Sequence, residues 1–211
     1  PDSSMNMKFS PSEESVSEFK NSVSDIQSRG TKVLISMGGA NAHVDLSDSS
    51  KKENFINSMI SIIEEYNFDG LDIDLEGGSL SLNSGDTDFR NPTTPKVVNF
   101  IDAINSIYNH FNSRGEELVI TAAPETAYVQ GGHNTYGGIW GAYLPLIYSI
   151  KDKLTYIHVQ YYNTGSILAL DGKAYSQSTP DFIVSMTDML LQGFSAGGNK
   201  FPALREDQVA F

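Results

Sequence analysis

The sequence predicts an α/β fold, a portion of a (β/α)8 TIM barrel, and three observations carry that prediction. Short apolar runs rich in β-branched residues alternate with longer segments of helical period. The order is one helix, then strand and helix four times over, and repeated βα units imply parallel strands joined by right-handed crossovers. One strand, Phe68 to Glu76, carries acids at alternate positions, which suits a barrel with one face to its axis and the other to its helices. An open nucleotide-binding sheet is disfavoured, because "SMGGANAH" lacks the G-x-G-x-x-G spacing and no Walker lysine motif occurs.

The four strands are expected at "KVLISMGG" (32–39), "FDGLDIDLE" (68–76), "ELVITAAPE" (117–125) and "LTYIHVQYYN" (154–163). A first helix is expected from a capping box at Ser10, Pro11, Ser12 and Glu13, running to Arg29 with Gly30 as its stop. Ser50 to Glu53 repeats the box, and Phe55, Ile56, Met59, Ile62 and Ile63 form the apolar stripe behind it. Val97, Phe100, Ile101, Ile104 and Ile107 make a third stripe, stopped near Gly115. A short helix is expected over 144–150, and a last one from Thr179, Pro180 and Asp181 to Gly193. All 211 residues read as one partial barrel domain.

Composition narrows the function. The net charge of −12, from 26 acidic against 14 basic residues, argues against nucleic acid or an anionic membrane as partner. A neutral ligand is easier to accommodate. With no cysteine there are neither disulfides nor thiolate chemistry. No apolar run reaches the ~18 residues of a membrane helix, and no signal peptide is present.

The chemistry centres on "FDGLDIDLEGG". Residues two apart on a strand share a face, so Asp72, Asp74 and Glu76 project together while Leu71, Ile73 and Leu75 face the helices. Asp72 and Glu76 are then about 13 Å apart along the strand, with Glu76 emerging at the mouth where barrel enzymes keep their sites. A structural ion-pair network would need cations that the core strands almost lack, and the spacing is wrong for a calcium loop. Neighbouring carboxylates raise each other's pKa and retain a proton, which suits general acid catalysis.

These residues carry a resemblance. The D-x-x-D-x-D-x-E pattern of Asp69, Asp72, Asp74 and Glu76 resembles the fourth-strand signature of glycoside hydrolase family 18. Ser36, Gly38 and Gly39 match the third-strand S-x-G-G pattern, "TAAPE" (121–125) is similar to the fifth strand, and Gln160, Tyr162 and Asn163 meet the sixth. The Q-x-Y-N form resembles the hevamine and bacterial chitinase branch. The resemblance implies a retaining mechanism in which the substrate's own acetamido group is the nucleophile. Glu76 would be the acid and then the base. Asp74 would orient the acetamido N–H, Asp72 would exchange a proton or hydrogen bond with Asp74, and Tyr162 would donate to the acetamido oxygen. Gln160 and Asn163 would bond the same sugar.

Other residues keep two readings. Ser36 either bonds Asp72 or is a plain core serine, and Gly39 leaves room for backbone or sugar. Ala123 and Glu125 of "TAAPE" lie at the strand mouth, where Glu125 contacts substrate or is simply solvated. Tyr128, Tyr136 and Trp140, in the aromatic loop 127–143, are either ring platforms for sugar or, for Trp140, packing onto the next helix. His158 points inward or is a satisfied core residue. Asp69 reads as structural, tying the turn at the barrel bottom. The four histidines show no metal-ligand spacing, so neither metal nor cofactor is expected.

The family's first two strands are expected before Pro1, and its seventh and eighth after Phe211. Its late tryptophan, which floors the −1 sugar site, has no counterpart, and the piece alone is expected to be inactive with open edges. The resemblance implies a secreted monomeric chitinase acting on β-1,4-linked N-acetylglucosamine polymers. An endo-β-N-acetylglucosaminidase acting on N-glycans and a non-catalytic chitin lectin stand as alternatives.

Overall fold

The computed structural model describes residues 1–210. Nine strands and five helices follow one another: α1 (Val16–Ser28), β1 (Leu34–Gly38), α2 (Ser49–Tyr66), β2 (Gly70–Asp74), α3 (Pro95–Asn112), β3 (Val119–Ala122), α4 (Leu144–Ile150), β4 (Tyr156–His158), β5 (Ile167–Leu168), β6 (Ala174–Tyr175), α5 (Pro180–Gln192), β7 (Phe194–Ala196), β8 (Asn199–Phe201) and β9 (Val209–Ala210). The main sheet runs β1-β2-β3-β4-β9, every pair parallel. Its strands lie side by side in chain order, with none of the reversal that marks a doubly wound sheet. A helix separates each pair, as a barrel wall requires.

The fifth parallel strand corrects an expectation. Val209 pairs with Ile157 and Ala210 with His158, so the wall extends past the four strands legible in sequence. Two residues are too few to display a period. The chain between β4 and β9 also holds two small antiparallel hairpins, β5–β6 and β7–β8, which the sequence reading did not separate from loop.

Two helix starts also differ from expectation. The first cap is Ser15, whose hydroxyl accepts from Glu18 N while the Glu18 carboxylate accepts from Ser15 N. The Ser10–Glu13 box has the same spacing but is not used. Just upstream, Phe9 packs against Phe19, Tyr66 and Phe68 with ring centroids 4.9–5.6 Å away, which holds the approach to the helix outside it. The second cap is Asp48, accepting from Lys51 N at 2.9 Å, in place of Ser50.

Leu71, Ile73 and Leu75 are fully buried beneath the helices, joined by Ile120, Ala122 and Ile157 of the next strands. The opposite face holds Ser36, Asp72 and Thr121 in register. At the strand bottoms, the Asp69 carboxylate accepts from Gln27 Nε2 (2.8 Å), Val33 N (2.8 Å) and Lys32 Nζ (3.1 Å). One carboxylate thus ties the end of α1 to the entries of β1 and β2. Burial pushes its pKa up, but these donors outweigh that and hold it below the ordinary carboxylate range.

An Asp69→Ala variant of the full-length protein should lose about 1–3 kcal/mol at neutral pH, measured by denaturant unfolding. Because the native pKa is depressed, the wild-type advantage should hold at neutral pH and disappear as pH falls through that depressed value.

Candidate active site

Asp72 is the deepest acid of the column, and three side chains from three other strands converge on it. Thr121 Oγ1 lies 2.6 Å from Oδ1, Ser36 Oγ 2.9 Å from Oδ2, and His158 Nε2 3.3 Å from Oδ1. Register explains the first two, because Ser36 and Thr121 flank Asp72 on either side. His158 therefore faces inward, and Ser36 is bonded to the column. Thr121 went unnoticed in the sequence. Parity would have found it, since Thr121, Ala123 and Glu125 alternate just as the acids do.

Asp74 stands one step higher, beside a bend in the neighbouring strand. Gly38 has a φ of 107°, and a Cβ there would lie 2.1 Å from the Asp74 carbonyl oxygen. Only glycine fits. Gly39 N then donates to that carbonyl at 2.6 Å, and a Cβ at Gly39 would come 3.8 Å from Asp74 Oδ2. These glycines let β1 close on the acid without covering it.

Gln160 bridges the upper half of the column. Its Nε2 lies 2.9 Å from Asp74 Oδ1, 2.8 Å from Ala123 O and 3.3 Å from Glu76 Oε1. All three are acceptors, which requires the nitrogen rather than the oxygen at this point. Gln160 is largely buried, and Thr126 Oγ1 secures its backbone carbonyl at 2.7 Å. The sequence reading assigned this amide to the sugar. The structure has it engaged with two carboxylates and a carbonyl.

Burial, followed by the charges of Glu76 and Asp72, pushes the Asp74 pKa up, against the pull of the Gln160 hydrogen bond. Glu125, half-buried at the mouth of β3, is also raised, by burial and then by Glu76 and Asp74. It shares the field of the column and is not a freely solvated surface acid. Asp72, Asp74, Ala123, His158, Gln160 and Tyr162 line a hollow of about 510 Å³, and Glu76 stands just beyond it. Crowded carboxyls beside an open hollow, with Asp74 held above its ordinary pKa, are equipped for acid–base chemistry on a neutral ligand.

The profile of glycosyl hydrolases family 18 matches residues 2–185. The chain belongs to this family. It is 56% identical over 208 residues to chitinase D of Niallia circulans, and 55% identical over 207 residues to chitinase Chi52 of Paenibacillus xylanexedens. Each alignment takes in 97% of this chain but 39% of the relative, so the chain spans about two-fifths of their length. The crystal structure of a family GH18 chitinase from Chromobacterium violaceum is 36% identical, with a TM-score of 0.85, over 97% of this chain and 53% of that one. The parallel sheet is accordingly part of a family 18 (β/α)8 barrel.

The remaining family-motif and loop residues divide. Tyr162 is exposed at 58% and lines the hollow. Asn163 is exposed with a φ of 51°; it turns the chain and is not part of the hollow's lining. Trp140 is 39% exposed and packs over Gly131, where a Cβ would meet its ring at 2.6 Å. It borders a separate hollow with Ile167 and Leu168. Tyr128 is buried and presents no ring platform; the Tyr136 hydroxyl is enclosed, while its ring borders another hollow with Thr87 and His133.

Because the Asp74 pKa is raised on folding, its ionisation costs stability as pH rises through the native value. Asp74→Asn in the full-length protein should therefore melt at higher temperature than wild type at pH 7. The gain should shrink as pH falls toward the ordinary aspartate value of 3.8. A variant less stable at pH 7 would contradict the crowding of the column.

Proposed function

We propose that the full-length protein is a secreted, monomeric chitinase that hydrolyses β-1,4-linked N-acetylglucosamine polymers with retention of configuration. The observation that carries this reading is the column itself. Asp72 and Asp74 rise along one wall of the hollow, Glu76 stands just beyond it, and Gln160 links the upper two acids. The names of the relatives, chitinases at 55–56% identity, support the substrate class.

In this reading Glu76 protonates the glycosidic oxygen as the bond to the anomeric carbon breaks. The acetamido carbonyl oxygen of the same sugar attacks that carbon and forms an oxazolinium ion. Asp74 accepts the acetamido N–H and stabilises the positive charge. Asp72, held by its three partners, takes the Asp74 proton, or a hydrogen bond from it, as Asp74 turns toward the substrate. Tyr162, exposed over the hollow, donates to the acetamido oxygen. The leaving sugar departs with the proton, and Glu76, now ionised, takes one from the water that opens the ring. No second nucleophilic carboxylate is required.

Glu76→Gln in the full-length protein should lower kcat on N-acetyl chitooligosaccharides by about 10²–10⁴-fold while leaving their binding intact. Near-normal rates would remove Glu76 as the acid. Binding without turnover in the wild type would point to a lectin, and cleavage of a high-mannose glycopeptide alone to an N-glycan endoglycosidase.

A further inference from the structure

Strand β2 ends at Asp74, two residues before Glu76. Its last ladder pairings are Gly38 with Asp74 on one side and Ile73 with Ala122 on the other. Leu75, Glu76 and Gly77 therefore run beyond the sheet, and Gly77 has a left-handed φ of 57°. A catalytic side chain on such a segment would move with a backbone that no neighbouring strand restrains.

Two tyrosine hydroxyls replace those restraints. Tyr143, fully buried at the start of α4, accepts from Leu75 N at 2.6 Å and donates to Leu75 O at 3.0 Å. Tyr128, buried in the turn after β3, donates to Gly77 O. The hydroxyls thus grip the residue before Glu76 at both its polar atoms and the residue after it at its carbonyl. The two tyrosines are also coupled to each other. Tyr143 N donates to Tyr128 O at 3.0 Å, and the rings meet edge to face at 6.1 Å.

We propose that Tyr143 and Tyr128 are positioning residues that clamp the backbone on both sides of Glu76 and so aim its carboxyl at the leaving oxygen. The inference rests on the reading of Glu76 as general acid. Neither tyrosine lines the hollow. Burial, then the charges of Glu125 and Glu76, pushes the Tyr128 hydroxyl up to about 12. Burial above all also raises Tyr143 well above the ordinary tyrosine value. Both remain protonated donors throughout the working range of such an enzyme.

The test compares substrates that differ in how much they need an acid. Tyr143→Phe and Tyr128→Phe are made in the full-length protein, alongside Glu76→Gln. Each is assayed on N-acetyl chitotetraose, whose sugar leaving group must be protonated, and on the 2,4-dinitrophenyl glycoside of N,N′-diacetylchitobiose, whose leaving group departs unprotonated. A clamp on the acid predicts a fall in kcat of about 10- to 100-fold on the tetraose with KM nearly unchanged, and little change in kcat/KM on the activated glycoside, which reports only the cleavage step. A purely structural role would lower both rates equally through loss of active protein, or neither, and either result would overturn the proposal. Tyr128→Phe removes a single hydrogen bond, so it keeps the test decisive if Tyr143→Phe fails to fold. If Glu76→Gln itself shows no dependence on leaving group, the assignment of the acid fails and the clamp falls with it. If Glu76→Gln shows the dependence and both tyrosine variants lack it, only the clamp is wrong.

Discussion

The two-residue period of one short strand governs this molecule. In β2 it sends Leu71 and Ile73, with Leu75 just beyond the strand, outward into a dry layer of helices, and Asp72, Asp74 and Glu76 inward toward the barrel axis. A slip of one residue would exchange the two sets, burying three carboxyls among aliphatic side chains at a cost of several kcal/mol each. The apolar half of the strand therefore fixes the register of the acidic half. Stability and the candidate chemistry are set by the same alternation.

The acids differ because each meets different partners. Asp72 lies among two hydroxyls and an imidazole from three other strands of the sheet. Asp74 meets a single side-chain donor, the Gln160 amide, and carries like charges above and below it. Glu76 lies beyond the sheet, where tyrosine hydroxyls hold its flanking backbone. Asp69, five residues from the column's midpoint at the other end of the strand, is satisfied by three donors and serves the fold alone. Four acids of one motif thus divide into anchor, base of the column, proton holder and emergent acid by environment and not by residue type.

Much of this was legible in the sequence, because period and parity are local properties. The four long strands, the stripes of α2 and α3, and the shared face of the acids all follow from spacing. What escaped reading depends on contacts between distant segments. The first capping box was placed at Ser10 because two boxes of equal spacing compete there, and the aromatic packing of Phe9 decides between them. Strand β9 contributes only Val209 and Ala210 to the described residues, too few to show a period, and what reveals it is its pairing with the distant Ile157 and His158. The aromatic loop 127–143 suggested sugar platforms from composition, but Tyr128 and Tyr143 turn inward to backbone groups that the end of β2 leaves unpaired. Gln160 is expected at the sugar and lines the hollow, but nothing in its own segment reveals the carboxylates 84 and 86 residues away that also accept from its amide.

The central claim is that the column shares its charge, so that Asp74 retains a proton beyond the ordinary aspartate range. A carboxyl-carbon NMR titration of the full-length protein, labelled at aspartate, tests it most directly. One aspartate resonance should titrate above the ordinary range, vanish in Asp74→Asn, and shift partly back toward that range when Glu76→Gln removes the charge above it. If every aspartate titrates in the ordinary range, or if the raised resonance persists in Asp74→Asn, the column does not hold its proton in the way described.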